Sequence, residues 1–92
     1  METVVVTRHP ALVEYLREIG VKIEKVIDRA TPEEVRGRHV YGVLPLHLAA
    51  EARLVTTVPL DVPAELRGQE LTLEQVRQFA GAPRTYEVNW VW

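Results

Sequence analysis

Thr7-Arg8-His9-Pro10 sets a hydroxyl, a guanidinium and an imidazole side by side, just ahead of a proline that can open a helix. A guanidinium presents a planar fork of donors that matches phosphate oxygens. Histidine is the residue type that exchanges protons near neutral pH, so His9 suits proton transfer to or from an ester oxygen. A helix start adds backbone amides that favour an anion. Together these residues predict a phosphate-bearing ligand, with Arg8 and His9 as the chemical groups. The plainer alternative is that Arg8 pairs with a carboxylate and His9 only closes the turn.

Two further segments carry candidate ligand contacts. Leu44-Pro45-Leu46-His47 leads into an otherwise apolar stretch ending at Glu51. Pro45 and His47 are candidates there, although a lone histidine on such a stretch is more often a half-buried structural residue than a ligand. Glu51, one helical turn beyond His47, can serve as a simple side-chain partner. Asp61 can orient a histidine or accept a proton, or merely form a turn before Pro63. Arg67-Gly68 offers a second phosphate contact or a solvated turn. No closely spaced histidine pair and no cysteine is present, so no metal site is expected. The glycine fingerprints of nucleotide-binding loops are missing too, and no cofactor is expected.

These residues need elements to hold them. Thr3–Thr7 is a β-branched run that reads as a buried strand. Leu12, Val13, Leu16 and Ile19 follow at helical spacing, and Gly20 closes the helix. Val21–Ile27 reads as a second strand. Thr31-Pro32-Glu33-Glu34 is a helix start with capping threonine, first-turn proline and acidic residues at the positive dipole end. His39–Leu44 reads as a third strand, with His39 structural at its amino end. Pro45–Ala52 reads as a short helix and Leu54–Leu60 as a fourth strand.

Asp61–Gly68 is a loop with one helical turn. Thr72–Ala80 is a helix with Thr72 and Gln75 spaced as a capping box. Arg84–Val91 alternates polar and apolar residues, as an edge strand does, and an antiparallel orientation is open to it. Strands alternating with helices predict a mostly parallel sheet of about five strands with helices on both faces. In such a sheet ligands gather beyond the carboxyl ends of the strands. The three polar segments fall there, so one cleft could collect them.

The 92 residues are expected to form a single domain spanning 1–92. A core this small leaves a thin stability margin, and with no disulfide available, association into a homodimer is expected. Trp90 and Trp92 could meet a partner chain or finish the core. The 47% hydrophobic and 26% charged fractions are those of a globular chain, not a disordered one. A net charge of −2 argues against a duplex nucleic-acid binder. No membrane-length apolar run and no basic, apolar leader is visible, so a cytoplasmic location is expected. Nine of the eleven basic residues are arginine, which as a bulk statistic favours a compositional bias over phosphate recognition.

Two resemblances bear on function. Val4-Val5-Val6-Thr7-Arg8-His9 resembles the opening of histidine phosphatases, whose first strand ends in Arg-His-Gly. Here Pro10 stands in place of that glycine, and 92 residues leave no room for that family's second histidine and further arginine. A broader likeness spans nearly the whole chain. Arg8-His9-Pro10, then Gly42-Val43-Leu44-Pro45-Leu46-His47-Leu48-Ala49-Ala50-Glu51, then Leu60-Asp61-Val62-Pro63-Ala64-Glu65-Leu66-Arg67-Gly68-Gln69-Glu70-Leu71 resemble a small CRISPR-associated family encoded beside type III CRISPR systems. Members carry serine where Thr7 stands and usually asparagine where His47 stands.

That family is grouped with ring nucleases, which cleave the messenger cyclic oligoadenylate. The resemblance therefore implies a Rossmann-like three-layer fold and a dimer with the ring across its two-fold axis. It also implies metal-independent cleavage by the ribose 2′-hydroxyl, most naturally of cyclic tetraadenylate. In that chemistry Arg8 stabilises the charged transition state, His9 is acid or base, and Thr7 and His47 position the backbone. A binding module that holds the ring uncut, or a structural accessory subunit, would use the same sequence without catalysis.

Overall fold

The computed structural model describes residues 1–91, and Trp92 lies outside the described residues. Five strands form one sheet in the order β2-β1-β3-β4-β5. They are β1 (Thr3–Val6), β2 (Lys25–Ile27), β3 (His39–Tyr41), β4 (Leu54–Thr57) and β5 (Arg84–Tyr86). The helices are α1 (Pro10–Glu18), α2 (Pro32–Val35), α3 (Leu46–Ala49) and α4 (Leu73–Phe79), with a 3-10 turn at Ala64–Leu66. The first four strands pair in parallel and β5 joins β4 antiparallel, as an exposed edge.

Alternation along the strands builds the layers. Val4, Val40 and Val55 lie side by side in register, and Val40 and Val55 pack with Val35, Leu48, Ala49 and Ala52 beneath α2 and α3. Val5 turns to the opposite face and packs with Val13 and Leu16 of α1. There α4 joins α1 through Ala11, Leu71 and Val76. An ion pair between Arg77 and Glu18 clamps the two helices outside that contact. Helices thus cover both faces. Leu16, Val4, Val5, Val35, Val40 and Val76 are fully buried, each worth roughly 1.5–3 kcal/mol of transfer free energy.

The strands are shorter than their apolar patterns suggest: β1 stops at Val6 and β3 at Tyr41, and the other three are cut short for identifiable reasons. At the second, the Val21 amide donates to the Leu16 carbonyl (2.9 Å) and the Gly20 amide to that of Arg17 (3.1 Å). With Gly20 at φ +100°, this is a Schellman cap, and it takes the donor that Val21 would need for a ladder. Val21 and Ile23 still pack on the Val5–Val13–Leu16 cluster, so their spacing reports burial rather than pairing. Strand β4 leaves the sheet after Thr57, and Leu60 instead makes a bridge to Ala80 at the end of α4. At the fifth strand, Tyr86 already pairs with Val55, near the start of β4. The chain then runs out of partner, and Val88 folds onto the α2–α3 core.

Candidate functional site

The strand order reverses between β1 and β3: the chain goes outward from β1 to β2, then back across to β3. At such a switch point the connections leave in opposite directions and open a crevice at the carboxyl ends of the strands. Thr7-Arg8-His9-Pro10 stands there, between β1 and α1. The Thr7 amide continues the sheet by donating to the Ile27 carbonyl (2.9 Å), and the Thr7 hydroxyl accepts the His9 amide (3.1 Å). Thr7 therefore shapes the turn that aims the next two side chains.

This turn presents fewer free amides than a generic helix start. The His9 amide is taken by Thr7, Pro10 has none, and the Leu12 amide donates to the His9 carbonyl (3.0 Å). The expectation that backbone donors carry much of an anion's charge is revised on that ground. An anion held there would rest mainly on Arg8.

Arg8 and His9 are exposed and line three cavities that meet at them. The largest, about 610 Å³, runs between the α1 start and the segment from Leu60 to Leu71. It holds Arg67, Gly68, Gln69 and Glu70, with Leu60, Val62, Leu66 and Leu71 as apolar wall. A second, about 480 Å³, adds Glu14, Arg17 and Asp28. The third, about 380 Å³, extends over Tyr41, Gly42, Val43 and Val58.

Ion pairing divides the arginines. Arg36, Arg38, Arg53 and Arg77 each hold a carboxylate elsewhere on the surface. Among the described residues Arg8, Arg17, Arg29, Arg67 and Arg84 hold none, and of these Arg8, Arg17 and Arg67 line these cavities. Arg67 keeps one tie, its Nε donating to the Val62 carbonyl (3.3 Å), and the residue is exposed. The alternative in which Arg8 is consumed by an acidic neighbour does not occur in this structure.

The other sequence candidates separate from Arg8. His47 lies on α3, beneath the opposite face, in an apolar cavity of about 680 Å³ with Leu46, Val88 and Trp90. The single cleft holding both histidines is therefore not formed. The cause is the layer arrangement, since α3 packs against α2 and not α1. Glu51 pairs with Arg36 (3.0 Å), not with His47. Pro45 caps α3 and Asp61 is exposed, its amide donating to the Phe79 carbonyl (3.0 Å); neither lines the cavities at Arg8. Trp90 is 84% exposed.

His39 is structural, as expected. Its Nε2 lies 2.6 Å from the Thr56 hydroxyl, which lies 2.7 Å from that of Thr85, and its ring stacks on Tyr41. Burial holds its pKa below the ordinary histidine value. Gln69, Glu70, Asp28 and Tyr41 were missed at the sequence level. Asp28 follows β2 directly, as Thr7 follows β1, and Gln69-Glu70 continue from Arg67-Gly68; both signals were open to reading. Among the described residues no group of three His, Asp or Glu side chains could hold a metal ion. No described helix is long and apolar enough to cross a membrane.

Residues 4–89 match the family model described as "Putative CRISPR-associated protein (Cas_VVA1548)". The chain belongs to this CRISPR-associated family. The match takes in the turn at Arg8-His9, the α3 segment and the Leu60–Leu71 segment, the three stretches that carried the resemblance in the sequence. No curated protein and no solved structure matches the chain.

Proposed function

We propose that this CRISPR-associated protein is a ring nuclease that cleaves cyclic oligoadenylate and so switches off type III CRISPR signalling. One observation carries the reading: Arg8 and His9, neither held in an ion pair among the described residues, stand together at the switch point of the sheet and face a cavity with a second guanidinium, Arg67. Membership of a CRISPR-associated family supplies the biological setting. The ligand is then a polyanion made in the cytoplasm, where the protein would act.

The chemistry needs nothing beyond the chain. The ribose 2′-hydroxyl attacks its neighbouring phosphorus, an O2′–P bond forms and the P–O5′ bond breaks. The ring opens to a linear oligoadenylate ending in a 2′,3′-cyclic phosphate. Arg8 meets the charge that develops on the phosphoryl oxygens, and the enzyme's contribution is geometry and charge stabilisation. His9 handles a proton at one of the two ester oxygens. In a homodimer, a two-fold cleft would present one copy of each loop to opposite phosphates of an even-membered ring.

The test is incubation of the purified protein with radiolabelled cyclic tetraadenylate in the presence of EDTA. A linear product ending in cyclic phosphate supports the proposal. Ring that is retained by the protein but recovered intact makes it a sensor or sink, for which Arg8 and the cavity suffice. Ring neither bound nor cut removes the proposal altogether.

A further inference from the structure

We infer that Glu70 is the general base of this reaction and that His9 is therefore its general acid. The inference rests on the ring-cleavage reading and assigns the proton left open there. Glu70 lines the same 610 Å³ cavity as Arg8, His9 and Arg67, but from the other segment that bounds it. It is exposed and forms no ion pair among the described residues, although two guanidinium groups share its cavity.

Packing ties the backbone beside it to the backbone that follows His9. Leu71, the next residue, is buried against Ala11 in the first turn of α1 and against Val76 of α4. His9 is two residues before Ala11. The two groups are thus tethered on either side of one apolar contact. Behind Glu70 the chain is held by the α4 cap, where the Thr72 hydroxyl accepts the Gln75 amide (3.1 Å) and the Gln75 side chain accepts the Thr72 amide (3.0 Å). An in-line displacement needs its base and acid at the entering and leaving oxygens, which lie on opposite sides of phosphorus. Groups from two separate walls of a cavity meet that need.

Two other carboxylates, Glu14 and Asp28, approach Arg8 in the neighbouring cavity. That cavity lacks both Arg67 and the apolar wall of Leu60, Val62 and Leu66, which can receive a nucleobase while Arg67 takes the adjacent phosphate. The step balances within the chain. The Glu70 carboxylate takes the 2′-hydroxyl proton as O2′ attacks phosphorus, and the His9 imidazolium protonates the departing O5′. Exchange with water returns both groups to their starting states.

The experiment is single-turnover cleavage of cyclic tetraadenylate across pH by wild type, Glu70→Gln, Glu70→Asp, Glu14→Gln and Asp28→Asn, each checked for folding by thermal melt. Glu70→Gln is expected to lose about 10²–10⁴-fold in rate, to bind the ring as wild type does, and to lack the acid-side fall in its pH profile. Glu70→Asp keeps that fall at a reduced rate. Glu14→Gln and Asp28→Asn keep the acid-side fall of wild type. A Glu70→Gln protein with wild-type rate and profile overturns the assignment, as does loss of the acid-side fall in Glu14→Gln or Asp28→Asn. In either case wild type still cleaves, so ring cleavage stands. Wild type inert toward the ring instead overturns ring cleavage, and the assignment with it.

Discussion

Gly42 passes so close to Val6 that a Cβ at position 42 would stand 2.6 Å from the Val6 carbonyl oxygen. Its φ of +145° is also one that side chains rarely adopt. The Gly42 amide meanwhile donates to the Thr56 carbonyl (3.0 Å), so the turn is pinned from the β4 side as well. Val6 is followed by Thr7 and Arg8, and Gly42 lines a cavity with both. Gly42→Ala must therefore push β1 and β3 apart where the site begins. A loss of about 1–3 kcal/mol in stability is expected, read as a fall in Tm, together with reduced ring cleavage by the folded fraction. A variant with wild-type Tm and rate would mean that the close approach does not shape the site.

How far the sequence alone reaches can be judged from particular residues. The turn after β1 was legible because β-branched residues, an arginine and a helix-opening proline follow one another without a gap. The layer order was legible because strands and helices alternate. What stayed hidden was sidedness. His47 and His9 both follow strands, yet the crossover carrying α3 goes to the opposite face from α1, and nothing local to His47 records that. The strand limits at Val21 and Tyr86 were equally illegible. One depends on a helix cap taking a ladder donor, the other on the length of a neighbouring strand. Glu70 escaped notice because an exposed glutamate in a loop is ordinary until Leu71 is seen buried against Ala11.

Burial of His39 makes stability depend on pH. Burial lowers the His39 pKa from its ordinary 6.5 in the folded state. The unfolded chain therefore takes up a proton first as pH falls. The sign follows: this contribution is whole above 6.5 and is lost as pH drops toward the lower folded value. His39→Gln keeps a hydrogen-bonding group near Thr56 but cannot titrate. Denaturant unfolding at several pH values is expected to show wild type losing more stability than His39→Gln as pH falls through 6.5. Parallel curves for the two proteins would assign the acid sensitivity elsewhere.

Arg8 and Arg67 share a cavity but are assigned different work, and kinetics separates them. Under the proposed reaction Arg8, beside His9, meets charge that appears only as the bond breaks. Arg8→Ala is expected to lower kcat by about 10²–10³-fold with KM little changed, as loss of a transition-state donor does. Arg67 lies on the far segment with its Nε already donating to the Val62 carbonyl, and the proposal gives it a phosphate that does not react. Arg67→Ala is expected to raise KM and leave kcat near wild type. The reverse pattern would exchange the two roles, and unchanged kinetics in both variants would take the ligand out of this cavity.

The proposed homodimer has a stoichiometric consequence. Each chain has one Arg8–His9 turn, whereas an even-membered ring of identical adenylates repeats its phosphates across a two-fold axis. A chain of this size also leaves large apolar residues in water: Val43 is 84% exposed, Leu46 76% and Trp90 84%. Surface of that kind is where a second copy can be buried at little cost in polar desolvation. Titration calorimetry with cyclic tetraadenylate and Arg8-intact, cleavage-impaired Glu70→Gln protein is expected to give one ring per two chains. Sedimentation should show a dimer with and without ligand, and Tm should rise with protein concentration, because association stabilises only the folded state. One ring per chain on a monomer would show that a single Arg8 turn is a complete site, and the two-fold arrangement would have to be abandoned.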